Sequence, residues 1–453
     1  MNDAYEKAKK LIREGKLEEG AKLLRKNLGK DAEAELLNDL GVCLYLLAEP
    51  DPALELFSES LKKAPNFCLS RINRFYVEKA KELRSKADLN FRHIDHDALP
   101  ASRPKPRISL IVRTYNRPDL LREALVSAKK QTFRDFETVV INDGGTKEAE
   151  SVAKEINPPG LRYFLAAHRG PASALNRGLE MARGDYIGFL DDDDLIYPNH
   201  LEALLGRLEQ EKVAGLAYPQ VRINYYEPAS RGGKLVRSEI NIEESVDYEK
   251  CVRYDPIVSM LILASRECFE TAGRFIEDLV TTAHDWEMWL RLLKHHRFYH
   301  LPEVTCEYQE RIRQDRATRK GLFERYYYSN LMHYLHNAIS LFSFPKKPEN
   351  ETAYRKALAE MDRLSGKYDG LENKIRLRGF YDFKSPYGYF YDRYLVLKDF
   401  GETELAKDFL RAALKLSPFE PKLWGSLMAS ALAGKGEQGD ELAAEKRRAP
   451  GRD

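Results

Sequence analysis

The sequence predicts an α/β protein: a mainly parallel sheet with helices on both faces, flanked before and after by all-helical segments. Three observations carry that expectation. Between residues 107 and 318, short apolar runs alternate with amphipathic stretches, the pattern of parallel strands joined by crossover helices. Residues 1–88 place Ala, Leu, Glu and Lys at helical spacing with nothing strand-like. Residues 319–445 return to helical periodicity, and the last few residues turn polar. The expected division is a helical domain over 1–88, a linker over 89–106, an α/β domain over 107–318, a second helical domain over 319–445, and a disordered tail over 446–453.

Bulk properties fit this outline and exclude several classes. At 453 residues the chain is too long for one ordinary core. Its 43% hydrophobic and 32% charged residues are those of a globular protein, and a net charge of +2 implies no nucleic-acid partner. Five scattered cysteines without CxxC spacing argue for a reducing compartment and against a zinc site or disulfide framework. The opening MNDAYEKAKK has no apolar core for a signal peptide. The longest apolar run, Ile257 to Ala264, is far short of the about 20 residues that span a bilayer. The expectation is a cytoplasmic protein with no transmembrane segment, its only membrane contact peripheral at the inner face.

In the first helical segment, Glu14–Leu28 and Ala48–Leu61 correspond at a shift of roughly 33 residues, near the period of tetratricopeptide repeats, which the segment resembles. Leu40-Gly41, Leu44, Ala53, Phe57 and Pro65 fall where that repeat wants a close approach, filling side chains and a stop. About two repeats are fewer than such arrays need to stand alone, so the segment is expected to dock on something else. Leu89–Pro106 breaks the periodicity with three prolines near its end.

The α/β alternation then runs in order. Ile108–Val112 is a strand, Pro118–Lys130 a helix, Thr138–Ile141 a strand, Lys147–Ile156 a helix, Leu161–Leu165 a strand and Ala172–Ala182 a helix. Tyr186–Leu190 is a short apolar run that reads as a buried parallel strand, and four aspartates, Asp191 to Asp194, follow it at once. In open α/β sheets ligands bind beyond the carboxyl ends of strands, so these acids are placed in a crevice. An extended backbone would send Asp191 and Asp193 to one side, Asp192 and Asp194 to the other. Adjacent carboxylates repel, and solvent or a divalent cation relieves them; hard oxygen donors select Mg²⁺ or Mn²⁺. The bland alternative is a solvated turn with Asp194 capping a helix that starts near Tyr197 or Pro198. The first turn, RTYNRP, is neither GxGxxG nor a P-loop, which disfavours dinucleotide enzymes and nucleotidyltransferases.

Further on, Tyr218–Asn224 and Ile257–Ala264 read as strands, the second central because it is apolar throughout. Between them Pro228–Val236 is a basic, glycine-rich loop. His284-Asp285-Trp286 opens a helix whose apolar face is Trp286, Trp289, Leu290 and Leu293. His295, His296 and His300 cluster without further ligands and read as surface. Pro302–Cys306 is strand-like, and Phe323–Leu341 is an aromatic-rich helix whose tyrosines read as packing. Phe400–Pro418 again resembles a tetratricopeptide helix pair.

Three segments in this order, SLIVRTYNRPDLLREALVSAKKQTFRDFETVVINDGGT, RGPASALNRGLEMARGDYIGFLDDDD and GRFIEDLVTTAHDWEMWLRLL, make the region Pro106–Arg313 resemble an inverting family 2 glycosyltransferase of the GT-A fold. The resemblance implies that Thr114, Tyr115 and Asn116 hold the nucleotide and that Asp143 accepts a hydrogen bond from the base; an Asx turn is the structural alternative for Asp143. It implies that the helix carrying Asn176 flanks the nucleotide, with Leu175 where relatives carry arginine. Asp191 and Asp193 become the DxD pair, with Asp193 the first choice for direct metal contact; Asp192 contacts the donor or supports the pair. Asp285 takes the place of the general base, with helix capping as its structural alternative. His284 stands where relatives often carry glutamate. Arg311 or Arg313 would close over the pyrophosphate, and Arg117 meets a phosphate or solvent.

The implied activity is metal-assisted transfer of a sugar from a nucleotide diphosphate sugar to an acceptor hydroxyl. Repeat grooves bind extended chains, which favours a protein acceptor or a protein partner; a polysaccharide or lipid-linked acceptor, or an inactive domain serving as scaffold, are the rivals.

Overall fold

A computed structural model describes residues 3–29, 32–89, 105–211, 213–227, 234–257, 260–279, 283–311, 319–336, 341–345, 347–375 and 385–429. Two compact units emerge, Ala80–Arg316 and a second made of Met1–Lys79 with Ala317–Asp453. The helical segments at either end of the chain therefore share one unit.

That helical unit holds α1 (Asp3–Arg13), α2 (Leu17–Lys26), α3 (Ala34–Leu46), α4 (Pro50–Lys63) and the start of α5 (Cys68–Leu89). A β-carbon on Gly41 would come within 2.6 Å of the Phe57 ring, so glycine there lets α3 and α4 close on each other, as the repeat pattern requires. The segment finds its partner in the chain's own later residues. Asp39, buried in α3, accepts from Tyr5 Oη at 2.6 Å and from the Ser343 backbone N–H and hydroxyl at 2.7 Å each. Asn38 donates to Asp39 and to the Leu341 carbonyl, and Tyr334 stacks on Tyr76 with ring centres 5.1 Å apart. The aromatic residues expected as packing thus include a buried Tyr334.

The α/β unit contains β1 (Ile108–Thr114), α6 (Pro118–Lys129), β2 (Phe136–Asp143), α7 (Glu148–Ile156), β3 (Arg162–Ala166), α8 (Pro171–Met181), β4 (Tyr186–Asp191), β5 (Leu195–Ile196), α9 (His200–Glu209), β6 (Gly215–Glu227), β7 (Lys234–Asn241), α10 (Tyr248–Arg253), β8 (Leu263–Ser265), α11 (Arg266–Ala272), α12 (His284–Leu292) and β9 (Arg297–Arg311). One sheet of order β3-β2-β1-β4-β8-β6-β9-β5 runs through it, with β7 added to β6. The first four strands are parallel, as their apolar runs and crossover helices predict. Val112, Val140 and Leu190 from three of them share a core with Leu121 and Leu125 of α6 and Leu201 and Leu204 of α9. On α8, a Gly178 β-carbon would sit 2.3 Å from Ile111 Cγ2, so the glycine sets how closely that helix lies on β1.

Three expectations need correction. In the run Ile257–Ala264, residues 258 and 259 lie outside the described residues and the others are buried; only Leu263–Ser265 forms a described strand, antiparallel between β4 and β6, in the central position that was foreseen. Within the supposed loop Pro228–Val236, residues 228–233 lie outside the described residues, while Lys234 begins β7, a strand the glycines and charges masked. The strand of Pro302–Cys306 extends to the fifteen residues of β9. Nearly all of the expected linker, and the tail over 446–453, lie outside the described residues. Among the described residues no helix is long and apolar enough to cross a membrane, and all five cysteines are free and buried.

Candidate active site

The carboxyl ends of β1, β2 and β4 bring three sequence motifs together. Asp191 is the last residue of β4, pairs in register with Arg113 on β1, and is clasped by its guanidinium at 2.6 and 2.8 Å. The chain then turns, with Asp194 N–H donating to the Asp191 carbonyl at 3.1 Å, so the extended backbone expected through the aspartates stops at once. The alternation survives nonetheless: Asp192 and Asp194 are each 1% exposed, while Asp191 and Asp193 stay partly open. Asp194 caps no helix. It accepts from the Gln309 N–H on β9 at 3.1 Å and so anchors the turn to the far side of the sheet, whereas α9 begins at His200 without a side-chain cap.

Charge sorts the four acids. Burial opposes ionisation of Asp191, but Arg113 outweighs it and the carboxyl lies below its ordinary range. Burial pushes Asp192 up to about 7, against the pull of Arg117. Asp194 is raised well above the usual carboxylate range, by burial first and by Asp193 next. Thr114 donates to Asp192 at 2.7 Å, and Arg117 reaches both Asp192, at 3.1 Å, and Asp193, at 2.6 Å. Arg117 is therefore paired with both acids, which corrects the expectation that it merely faces solvent.

Beside the turn, Tyr115 and the His168 ring stack face to face, 4.1 Å between centres and 9° apart, with Tyr115 exposed. Asn116 adopts a left-handed conformation, φ 53°, and its side-chain oxygen accepts from the Thr146 N–H, joining the two strand-end loops. Asp143 ends β2 and accepts from His168 Nδ1 at 2.9 Å and from the Arg169 and Gly170 N–H groups at 3.0 and 3.1 Å. The Asx turn belongs to its neighbour: Gly145 N–H donates to Asn142 Oδ1 at 2.8 Å, while Asn142 Nδ2 donates to Thr146 O and Tyr163 Oη. A second aspartate at 142 could not donate at all, so the asparagine matters more than its sequence context suggests. Asn176 is buried and fully engaged, exchanging hydrogen bonds with the Phe275 backbone and donating to Glu277. Its amide ties α8 to the 275–277 segment, with both Nδ2 hydrogens donated there.

Helix α12 begins with His284 and Asp285. Trp286 Nε1 donates to the Cys251 carbonyl at 2.6 Å and Trp289 is fully buried, so the helix start is pinned in place. Asp285 is partly exposed and accepts from the Trp286 N–H at 2.8 Å. The His284 ring is buried with no hydrogen-bond partner on either nitrogen, and burial lowers its basicity; the charges of Asp191 and Arg113 act on it. The first turn of α12 thus lies beside the acidic turn. Burial and the neighbouring Asp285 also push the Asp255 carboxyl well up. The side chain of Arg311 and all of Arg313 lie outside the described residues; the Arg311 backbone ends β9.

Sequence reading missed Arg113, His168 and Asp255. Arg113 carried a signal, a lone cation one position before the end of an otherwise apolar strand. His168 and Asp255 carried none, since nothing local marks a ring or a carboxyl that matters only across loops.

As the side chains stand, no three His, Cys, Asp or Glu among the described residues come together as metal ligands. The donor chemistry suits a hard cation all the same: the Asp191 and Asp193 carboxylates are partly open and each is met by a positive group, Arg113 and Arg117.

Comparison with known proteins bears on the same residues. A match to the family described as Glycosyl transferase family 2 covers residues 109–259, and so includes Thr114, Asp143 and the four aspartates but not Asp285. An uncharacterized glycosyltransferase of Rickettsia typhi is 28% identical over 49% of this chain and 69% of its own length. Another, YwdF of Bacillus subtilis, is 29% identical over 45% and 74%. Of a third, from Rickettsia felis, the chain spans only 32%. Among solved structures, S. aureus TarS 1-349 in complex with UDP-GlcNAc superposes with a TM-score of 0.40 and 15% identity over 68% of this chain and 89% of that one. The mannosyltransferase PcManGT from Pyrobaculum calidifontis, in complex with GDP-Man and Mn²⁺, gives 0.38 and 20% over 84% and 92%. The strands that carry the crevice, β1 from Ser109 on, β2, β3 and β4, thus lie within the residues that match glycosyl transferase family 2.

Proposed function

We propose that this chain transfers a sugar from a nucleoside diphosphate sugar to an acceptor hydroxyl with inversion, using a divalent cation. The observation that supports the reading is the meeting of two motifs nearly a hundred residues apart: the charges of Asp191 and Arg113 act on His284, the first residue of α12 and the chain neighbour of Asp285.

Asp193, with Asp191, would hold Mg²⁺ or Mn²⁺, which when bound neutralises the charge growing on the departing diphosphate. Tyr115, flat and exposed on His168, offers a face for a base, while Asp143 fixes the loop around it. The Asp285 carboxylate takes the proton of the acceptor hydroxyl as its oxygen bonds to the anomeric carbon; the bond to the diphosphate oxygen breaks on the opposite face, which inverts the centre. An alcohol is a weak nucleophile near neutrality, so a placed carboxylate is what this step needs. The repeat-like helices favour a protein or protein-tethered acceptor over a free polysaccharide or lipid-linked one.

Asp285→Asn tests the reading. It should retain nucleotide binding while transfer falls by about a thousandfold. Transfer within a few fold of the parent would remove Asp285 from the base role. A screen of UDP- and GDP-sugars that gave neither binding nor Mn²⁺-dependent turnover would favour the scaffold.

A further inference from the structure

Two arginines serve the acidic turn, and they are tethered differently. Arg113 sits within β1, directly across from Asp191, and both members of that pair are held by strand backbone. Arg117 lies beyond the strand, immediately before α6, with φ −132° and ψ 58°, outside any repeating structure. Its guanidinium spans two carboxylates: Nη1 donates to Asp193 Oδ2 at 2.6 Å, Nε to Asp192 Oδ2 at 3.1 Å, and Nη2 pairs with Asp192 Oδ1. The side chain is also 30% exposed.

A guanidinium spreads one charge over five N–H groups, whereas a divalent ion concentrates two at a point, and hard carboxylate oxygens favour the latter when something balances it. With Arg117 on Oδ2, Asp193 meets an arriving cation with a guanidinium already beside it, so the two positive charges oppose each other at that carboxylate. We propose that Arg117 is an exchangeable counter-ion: a divalent ion arriving with a nucleoside diphosphate displaces it from Asp193, and the released guanidinium then pairs with the diphosphate. This rests on the cation and diphosphate reading above and adds to it a rule of coupling. A cation alone must break the Arg117 pair without replacing it. With the diphosphate present the guanidinium gains a new bidentate acceptor, so cation and nucleotide bind cooperatively, each raising the affinity of the other. Arg113, locked in register, stays on Asp191 and keeps the turn in shape throughout.

The two halves of the exchange respond to substitution with opposite signs. Calorimetric titration of the full chain with Mn²⁺ alone, and with UDP and then GDP at saturating Mn²⁺, would be compared between the parent, Arg117→Ala and Arg117→Lys, with thermal melting as the control for folding. For Arg117→Ala, Mn²⁺ alone should bind roughly three- to tenfold tighter, because its competitor is gone. The nucleotide should bind about tenfold more weakly, because its partner is gone. Arg117→Lys should fall between, since an ammonium supplies the charge but not the fork. Mn²⁺ affinity that is unchanged or weaker in Arg117→Ala would overturn the exchange, and with the parent still binding cation and nucleotide it would leave the transferase reading intact. A parent that binds neither would overturn the transferase reading, and the exchange with it.

Discussion

The helical unit and the α/β unit each bury carboxylates, and they settle them by opposite means. Asp39 is met by neutral donors fixed to the scaffold: the Tyr5 hydroxyl, the Ser343 N–H and hydroxyl, and the Asn38 amide. The acids at the end of β4 are met by two guanidinium groups on long side chains, both of them partly exposed. Neutral donors built into the backbone and short side chains leave no room for exchange, so Asp39 serves packing. Charged donors at a crevice can be replaced by a ligand of the same charge, which is what a binding site requires.

Asp193→Ala sharpens that contrast most. It should weaken Mn²⁺-dependent nucleotide binding about a hundredfold while leaving the melting temperature close to the parent's. Unchanged titrations would take Asp193 out of the cation site, and a large loss of stability would make it a second Asp39. The converse is expected of Asp39→Ala: the Ser343 N–H loses its acceptor inside a packed interface, destabilising the helical unit by about 2–3 kcal/mol, with nucleotide affinity unmoved.

Asp39 also gives the helical unit a pH dependence. Burial raises its carboxyl from 3.8 to about 6 despite its donors. Between these values the folded chain keeps a proton that the unfolded chain has lost. The resulting stability is therefore full below about pH 4 and lost as pH rises through about 6, on the order of 3 kcal/mol in all. Melting curves of the parent should show this decline, and Asp39→Asn should flatten it. The smallest effect concerns the base platform: Tyr115→Ala should weaken nucleotide binding about threefold to tenfold without altering Mn²⁺ binding. An equal loss of both would mean that the Tyr115 and His168 stack shapes the acidic turn instead of a base site.

Much of this protein is written locally. The strand at Tyr186–Asp191, the helices on either side and the acid cluster follow from apolar runs, crossover spacing and adjacent like charges, all readable over a few residues. Gly41 and Phe57, which the sequence marked as a small residue and a large one on neighbouring helices, do lie against each other. Local signals failed where partners are distant in sequence. The bond from Asn176 to the Phe275 carbonyl, a hundred residues on, had no local sign; Lys234–Val236, read as the end of a loop, begins a strand that pairs with β6.

The sequence by itself determined the alternation of strands and helices, the place of the acids at a strand end, and the helical character of both flanks, because periodicity and charge act between near neighbours. Only the tertiary structure decided that the two flanks form one unit, that Arg113 and Arg117 hold the acids, and that His284 comes within reach of their charges. Those pairings depend on strand register and helix packing, which bring together residues whose local sequences carry no mark of each other.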